Sequence, residues 1–280
     1  MTRNEQERKA KTFLALHSVP PILVLPNAWD VASAKIYQFE GFKAVGTTSA
    51  SIAATLGYPD GQRMSLLQNA EVVRRIAERI DLPISADLEA GYATSVDGVA
   101  EAAKVMLDAG AVGINLEDST GDRSAPLYDT ALQAEKIRAI REVAGAQGVH
   151  LVINARTDVC LVSGEDAATR LRQTAERASA YRQAGADCIF VPDVGDFDKQ
   201  TIAALVREID APLNIIAGAR TPPIPELQEI GVARVSVGPR PMRATLGLLR
   251  RIARELLGPG TYTAMSADAL TYGEVNQMFE

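Results

Sequence analysis

Two periods of apolar residues alternate along this chain. The segments 99–107, 131–143, 167–184 and 199–209 carry apolar positions every three or four residues, which predicts amphipathic helices. Short runs between such segments are apolar on both faces, as buried parallel strands must be. The junctions repeat. An amphipathic stretch ends in glycine and a β-rich run follows, as in Glu40-Gly41-Phe42-Lys43-Ala44-Val45, Ala109-Gly110-Ala111-Val112, Ala184-Gly185-Ala186-Asp187-Cys188 and Ile230-Gly231-Val232-Ala233-Arg234. Each glycine fits the position after a helix, where a positive φ excludes most side chains. In Asp81-Leu82-Pro83-Ile84 and Asp210-Ala211-Pro212-Leu213, a proline stops the helix instead.

This punctuation places eight strands, at about 22–26, 43–48, 83–87, 112–117, 150–155, 187–191, 212–216 and 233–237. Eight strand–helix units predict a (β/α)8 barrel. A doubly wound open sheet is the alternative, but no glycine-rich fingerprint follows the first strand, where Pro26-Asn27-Ala28-Trp29-Asp30 stands. A helix over about 4–17 is expected to cap the barrel, and Gly258-Pro259-Gly260 divides a barrel domain (1–257) from a terminal packing arm (258–280).

Composition narrows the function. The 280 residues are 47% hydrophobic and 23% charged, which suits one barrel domain. No apolar run approaches the roughly 18 residues of a membrane span, and the first eight residues are too polar for a signal peptide. The net charge of −6, without a basic block, argues against a nucleic-acid partner. Two cysteines make no disulfide framework, so a reducing cytoplasm is expected. With only two histidines, the chemistry must rest on carboxylates, arginine, hydroxyls and a cation.

In such barrels the reacting groups sit where strands end. Those positions carry Asn27 and Asp30, then Thr47, Thr48, Ser49 and Ser51 with Asp60 further on. Asp87 and Glu89, Glu117 and Asp118, Arg156 and Asp158, Asn214 and Ser236 follow. Asp87 and Glu89 are two apart and face one side of an extended strand end. Glu117 leaves the neighbouring strand at the same height. Acids converging on one mouth cannot all stay ionised unpaired, and Mg2+ suits carboxylates, waters and a substrate oxygen. Mn2+ is an acceptable substitute. Arg156 is placed to hold a carboxylate or a developing oxyanion, and the amides of Thr48, Ser49 and Ala50 an anionic group. Asp97, Asp118 and Asp158 read as caps or loop residues, and Arg156, flanked by Asn154 and Asp158, has a structural ion pair as its alternative reading. His150 and Cys188 read as structural, His17 as surface or interface, and Cys160 and Trp29 as packing.

These residues carry a resemblance. Thr47-Thr48-Ser49-Ala50-Ser51 through Gly57-Tyr58-Pro59-Asp60 resembles the second-strand loop of the isocitrate lyase/phosphoenolpyruvate mutase superfamily. Ala86-Asp87-Leu88-Glu89-Ala90-Gly91-Tyr92 looks like its acidic metal motif. Asn115-Leu116-Glu117-Asp118 and Asn154-Ala155-Arg156-Thr157-Asp158 are similar to its next two signatures, and Pro212-Leu213-Asn214 and Arg234-Val235-Ser236-Val237-Gly238-Pro239 fit its last strands. The resemblance implies a barrel, a homotetramer that exchanges its last barrel helix, and a Mg2+-bound 2-oxo acid or its enolate. It implies Asp87 as the direct metal ligand. Glu89, Glu117 and Asp60 would act through metal waters. Thr48, Ser49 and Ala50 would hold substrate oxygens, Asn214 would sit on the substrate side, and Arg156 would hold the anionic intermediate.

The chain departs from the superfamily at one place. The lyases carry a Lys-(Lys/Arg)-Cys-Gly-His loop after the fourth strand, whose cysteine protonates the departing enolate, and the mutases a Lys-Thr-Asn loop. Here the loop reads Ser119-Thr120-Gly121-Asp122-Arg123-Ser124-Ala125-Pro126-Leu127-Tyr128. Arg123, Ser124 and Tyr128 are its only substitutes. The Asp-x-Glu form of the acidic motif favours C–C bond cleavage of a small 2-oxo or 2-hydroxy (di)carboxylate, as in a lyase or decarboxylase. Phosphonopyruvate mutase or hydrolase chemistry is one alternative, and a non-catalytic 2-oxo-acid binder is another. The loops 192–196 and 217–220 flank the substrate side without declaring a ligand.

Overall fold

The computed structural model describes residues 1–18, 20–192 and 197–280. All strands run parallel in one sheet: β1 (Leu23–Leu25), β2 (Asn27–Ala28), β3 (Val45–Thr47), β4 (Ile84–Asp87), β5 (Gly113–Glu117), β6 (Val152–Arg156), β7 (Cys188–Val191), β8 (Leu213–Ile216) and β9 (Arg234–Ser236). The order β1-β9-β8-β7-β6-β5-β4-β3-β2 begins and ends on consecutive segments of one strand. The cylinder therefore closes at Pro26, as the (β/α)8 reading expects. Proline has no N–H for a ladder, so the first strand pairs with β9 before it and β3 after it. Asn27 seals the seam. Its Oδ1 accepts from Val237 N (3.0 Å) and Gly238 N (2.8 Å), and its Nδ2 donates to the Thr47 carbonyl (2.8 Å).

The helix Arg3–Ala15 plugs the end of the barrel opposite the site. Its Phe13 is fully buried, and Gln6 donates to the Leu107 and Ala111 carbonyls (2.6 and 3.0 Å). Gly113 makes room for this plug, because a Cβ there would stand 2.5 Å from the Phe13 ring. His17 belongs to the plug too, which corrects the surface reading. It is 4% exposed, packs edge-on against Phe13 at 4.8 Å, and binds the Phe13 carbonyl through Nδ1 at 2.9 Å. The hydrogen-bonding pattern at its N-terminal helix, invisible to periodicity, turns the ring inward.

His150 stays at the same far end, bonded to Asp187 at 2.7 Å. Cys188 is buried in its strand, and Trp29 packs on Ile52, Ala53 and Met64. Among the described residues, no helix is long and apolar enough to cross a membrane. Beyond the barrel, residues 258–280 carry two short helices, Thr263–Ser266 and Tyr272–Gln277, with no buried residue in either.

Candidate active site

The site grows from the strand ends. After β3 the chain turns at Thr48 into a short helix, Ser49–Thr55. Thr48 makes no side-chain cap. Asp87, the last residue of β4, supplies an acceptor to that helix instead: its Oδ2 accepts from Ser49 N (2.9 Å) and Ser49 Oγ (2.8 Å). Thr47 Oγ1 accepts from Asp87 N at 2.9 Å, so strand and helix fix the carboxylate from both sides. Among the described residues, its Oδ1 meets only the Glu89 amide, at 3.4 Å. One lone-pair face of Asp87 is thus left for a ligand.

Glu89 reaches the same place by a turn rather than by strand alternation. β4 stops at Asp87, and Glu89 has φ +52°, a left-handed conformation uncommon for a residue with a Cβ. Gln62 N donates to Glu89 Oε2 (2.7 Å) and Tyr92 OH to Oε1 (2.9 Å). Burial, with the negative charge of Asp87, pushes its carboxyl up to about 7.

Across the mouth, Glu117 and Arg156 are direct neighbours in the β5–β6 register. Arg156 Nη1 stands 2.7 Å from Glu117 Oε2, while Nε and Nη2 grip Asp158 at 2.6 and 2.9 Å. Burial raises both carboxyls, and the guanidinium opposes the rise without cancelling it. Asp158 therefore does not cap the helix that follows it. It is half of a fork-to-fork ion pair. Asp118 is structural, as expected: fully buried, it accepts from Arg177 (3.1 Å), Tyr181 OH (2.7 Å) and Asp158 N (2.9 Å).

A cavity of about 210 Å³ joins these groups, lined by Thr48, Ser49, Ala50, Asp60, Asp87, Asn115 and Arg156, with Leu161, Phe190, Pro192 and Ile216 among its apolar walls. A larger space of about 550 Å³ beside Cys160, between the helices Ala167–Gln183 and Lys199–Glu208, is lined mainly by apolar and uncharged polar groups and lacks converging acids. The smaller cavity is the one that Asp60, Asp87 and Arg156 line. Asp60 stands at its rim, and burial with the Asp87 charge raises its carboxyl.

Other expected residues stand back from the cavity. Glu89 and Glu117 lie behind its lining, and among the described residues no three His, Cys, Asp or Glu side chains form a compact metal cluster. Asn214 is fully buried and donates to Ser236 Oγ at 3.3 Å rather than facing the space. Arg123 is exposed at the tip of the 119–128 loop, which is closed by a Ser119–Leu127 bridge. Tyr128 at its end is held by the buried Lys136, whose Nζ lies 3.3 Å from the ring centroid. Residues 193–196 of the 192–196 loop lie outside the described residues.

The donor set fits Mg2+ bound by one carboxylate and several waters. Mg2+ dehydrates reluctantly and commonly keeps such waters. Asp87 has an oxygen left for a direct contact, while the carboxyls of Glu89, Glu117 and Asp60 are raised by burial and by the charge of Asp87. A divalent cation relieves that repulsion.

Sequence reasoning did not single out Gln62, Asn69 and Tyr92. They reach the site through long-range bonds, among them Asn69 Nδ2 to the Asp87 carbonyl at 3.0 Å, and no spacing announces such a bond. Nor did it single out Arg234, fully buried inside the barrel, which donates to Asn115 Oδ1 at 3.2 Å. Burial lowers its guanidinium to about 10.

Comparison with known proteins bears on the family and the fold. The family model described as phosphoenolpyruvate phosphomutase matches residues 13–257. An uncharacterised Mycobacterium tuberculosis protein is 38% identical over 248 residues, covering 87% of this chain and 88% of its own. The 2-methylisocitrate lyase of Bacillus subtilis is 32% identical over 200 residues, covering 67% of this chain and 61% of its own. A Burkholderia cenocepacia J2315 protein, described only as lyase/mutase, superposes with a TM-score of 0.90 at 35% identity, covering 99% of this chain and 97% of its own. At the level of fold alone, a phosphonopyruvate hydrolase solved with oxalate and Mg2+ superposes with a TM-score of 0.84 at 22% identity, over 96% and 94% of the two chains.

Proposed function

Because the chain belongs to the phosphoenolpyruvate phosphomutase family, within the isocitrate lyase/phosphoenolpyruvate mutase superfamily, we propose that it is a Mg2+-dependent lyase acting beside the carbonyl of a small 2-oxo or 2-hydroxy acid. The observation that carries this reading is Asp87, fixed by Ser49 and Thr47 with one oxygen facing the cavity. Asp87 would hold the metal directly, and Glu89 and Glu117 through its waters. Bound there, Mg2+ supplies Lewis-acid polarisation of the substrate's carboxylate and carbonyl oxygens.

The chain's own residues do the rest. The amide of Ser49 is taken by Asp87, so the Thr48 hydroxyl and the Ala50 amide are left for substrate oxygens. Arg156 uses three of its five N–H groups on Glu117 and Asp158. The remaining two face developing negative charge, a fixed donor array that need not reorganise. Asp60, whose carboxyl burial raises, is the candidate proton donor at the rim for the departing carbon. Arg123, with Ser124 and Tyr128, covers the mouth when the 119–128 loop closes and excludes water.

C–C cleavage is favoured over P–C chemistry because a transferring phosphoryl group needs more cations than Arg156 alone. The helix Arg240–Leu257 supports a homo-oligomer, tetrameric by resemblance, with a terminal packing arm from 258. It buries only Met242 and leaves Leu249 60% and Leu257 90% exposed. Two unbridged cysteines fit a cytoplasmic protein.

The test is a Mg2+-containing turnover screen across isocitrate, methylisocitrate, oxaloacetate, malate derivatives and phosphonopyruvate. Turnover should vanish with EDTA, return with Mg2+ or Mn2+, and be lost in Asp87→Ala. Release of phosphate from phosphonopyruvate alone would move the assignment to P–C chemistry. Mg2+-dependent binding without any turnover would make the protein a 2-oxo-acid binder.

A further inference from the structure

A guanidinium with little to neutralise it lies between the plug and the cavity. Arg234, fully buried on β9, stands with its Cζ 5.9 Å from the Phe13 ring centroid, and its Nη2 donates to Asn115 Oδ1 at 3.2 Å. Among the described residues, the side chain makes that one hydrogen bond and no ion pair, and its Nε and Nη1 have no partner. Burial lowers the group only to about 10, so it stays charged at neutral pH. An unpaired charge held away from water is costly, and a hydrocarbon side chain would fill the same space without that cost.

Asn115 links this charge to the cavity. Its Oδ1 accepts from Arg234 and also from Asn154 Nδ2, at 2.8 Å. A guanidinium only donates, so the atom it meets must be the amide oxygen. The Nδ2 of the planar amide then points the other way. Among the described residues that nitrogen has no partner, yet it is not sealed from solvent as the orphaned atoms of Arg234 are. Asn115 lines the cavity and is the register partner of Asp87. Thr48 and Ala50 follow β3, on one side of Asp87, and Asn115 lies on β5, on the other. A chelated acid that lays its carboxylate against the β3 side turns its C2 oxygen toward Asn115.

Building on the lyase reading above, we propose that Asn115 donates from Nδ2 to the substrate's C2 oxygen, and that Arg234 and Asn154 are positioning residues that hold the amide with its donors forward. The buried guanidinium polarises the amide it bonds, which strengthens the N–H groups on the far side. Such a bond is worth more to a charged acceptor than to a neutral one. It therefore strengthens as the C2 carbonyl becomes an enolate oxygen, which is the condition for speeding the chemical step.

Oxalate and oxamate, planar and of one shape, test this by calorimetry with saturating Mg2+. Oxalate presents a charged oxygen where the enolate oxygen would stand, and oxamate a neutral amide. Asn115→Ala should weaken oxalate by about tenfold or more and oxamate by about threefold or less. Arg234→Met should shift the same ratio toward oxamate by about threefold or more. Its urea midpoint should stay at or above the wild type's, because a hydrocarbon replaces an unpaired charge. Equal weakening of both ligands in Asn115→Ala, as a merely structural role would give, or no weakening of either, would overturn the inference. With oxalate still bound by the wild type, that result would spare the lyase reading. A wild type that does not bind oxalate with Mg2+ would overturn both.

Discussion

Replacing Arg156 with alanine tests how the site is held together as well as how it works. The guanidinium joins two buried carboxylates through three contacts of 2.6 to 2.9 Å, and the side chains of Glu117 and Asp158 are only 16% and 5% exposed. Removing one partner from a buried pair costs roughly 3–5 kcal/mol, because the other charge stays desolvated. Arg156→Ala should therefore lose about that much stability at pH 8, in addition to turnover. The sign with pH follows from the raised carboxyls. Burial lifts Glu117 and Asp158, and the arginine opposes the lift. In the variant nothing opposes it, so both groups favour their protonated forms in the folded state. Such groups add stability at low pH and lose it as pH rises through the folded pKa. Urea unfolding followed by circular dichroism at pH 5 and pH 8 reads this directly. The deficit should shrink at pH 5, and Glu117→Gln in the Arg156→Ala background should recover part of it. A deficit under about 1 kcal/mol at pH 8 would remove Arg156 from its place as the counter-ion of these acids, since pairs worth that little behave like surface ones.

Other expectations follow from the floor of the barrel. Burial, reinforced by the Arg234 charge, lowers His17 from 6.5 to about 4. Its contribution is present above pH 6.5 and is lost as pH falls toward 4, by about 2 kcal/mol at pH 5. His17→Gln should flatten the stability profile over that window, and an unchanged slope would place the titration elsewhere. Gly113→Ala sets a Cβ 2.5 Å from the Phe13 ring. Overpacking of this kind costs about 1–3 kcal/mol. It should lower the melting temperature and increase protease cleavage within residues 1–18, whereas a wild-type melting temperature would mean the plug yields freely.

The fold was legible because each strand is short, apolar on both faces and bounded by glycine or proline. All eight expected strands are present, and only the break at Pro26 changes the count of segments. That Asp60, Asp87 and Arg156 line one cavity was legible because strand ends in a barrel converge. Asp158 allowed two readings, a cap or loop residue and the partner of Arg156 in an ion pair, since the same Asp can serve a helix amide or a guanidinium, and the fold decides for the pair. Glu89 was expected on an extended strand end, whereas it sits in a left-handed turn at φ +52°, which leaves no trace in spacing. His17 looked exposed because a helix end near the terminus gives no sign that the barrel floor is open to receive it. Asn214 looked like a mouth residue, yet it is fully buried and bonds the Ser236 hydroxyl.

Calorimetric titration of oxalate, with Mg2+ and with EDTA, into the wild type and Asp87→Asn measures the central claim most directly. Oxalate presents the paired oxygens of a 2-oxo acid and cannot react. Binding should require Mg2+ and should fall below detection in Asp87→Asn, with the variant's unfolding curve near that of the wild type. Equal affinity in EDTA, or undiminished binding to Asp87→Asn, would contradict the account.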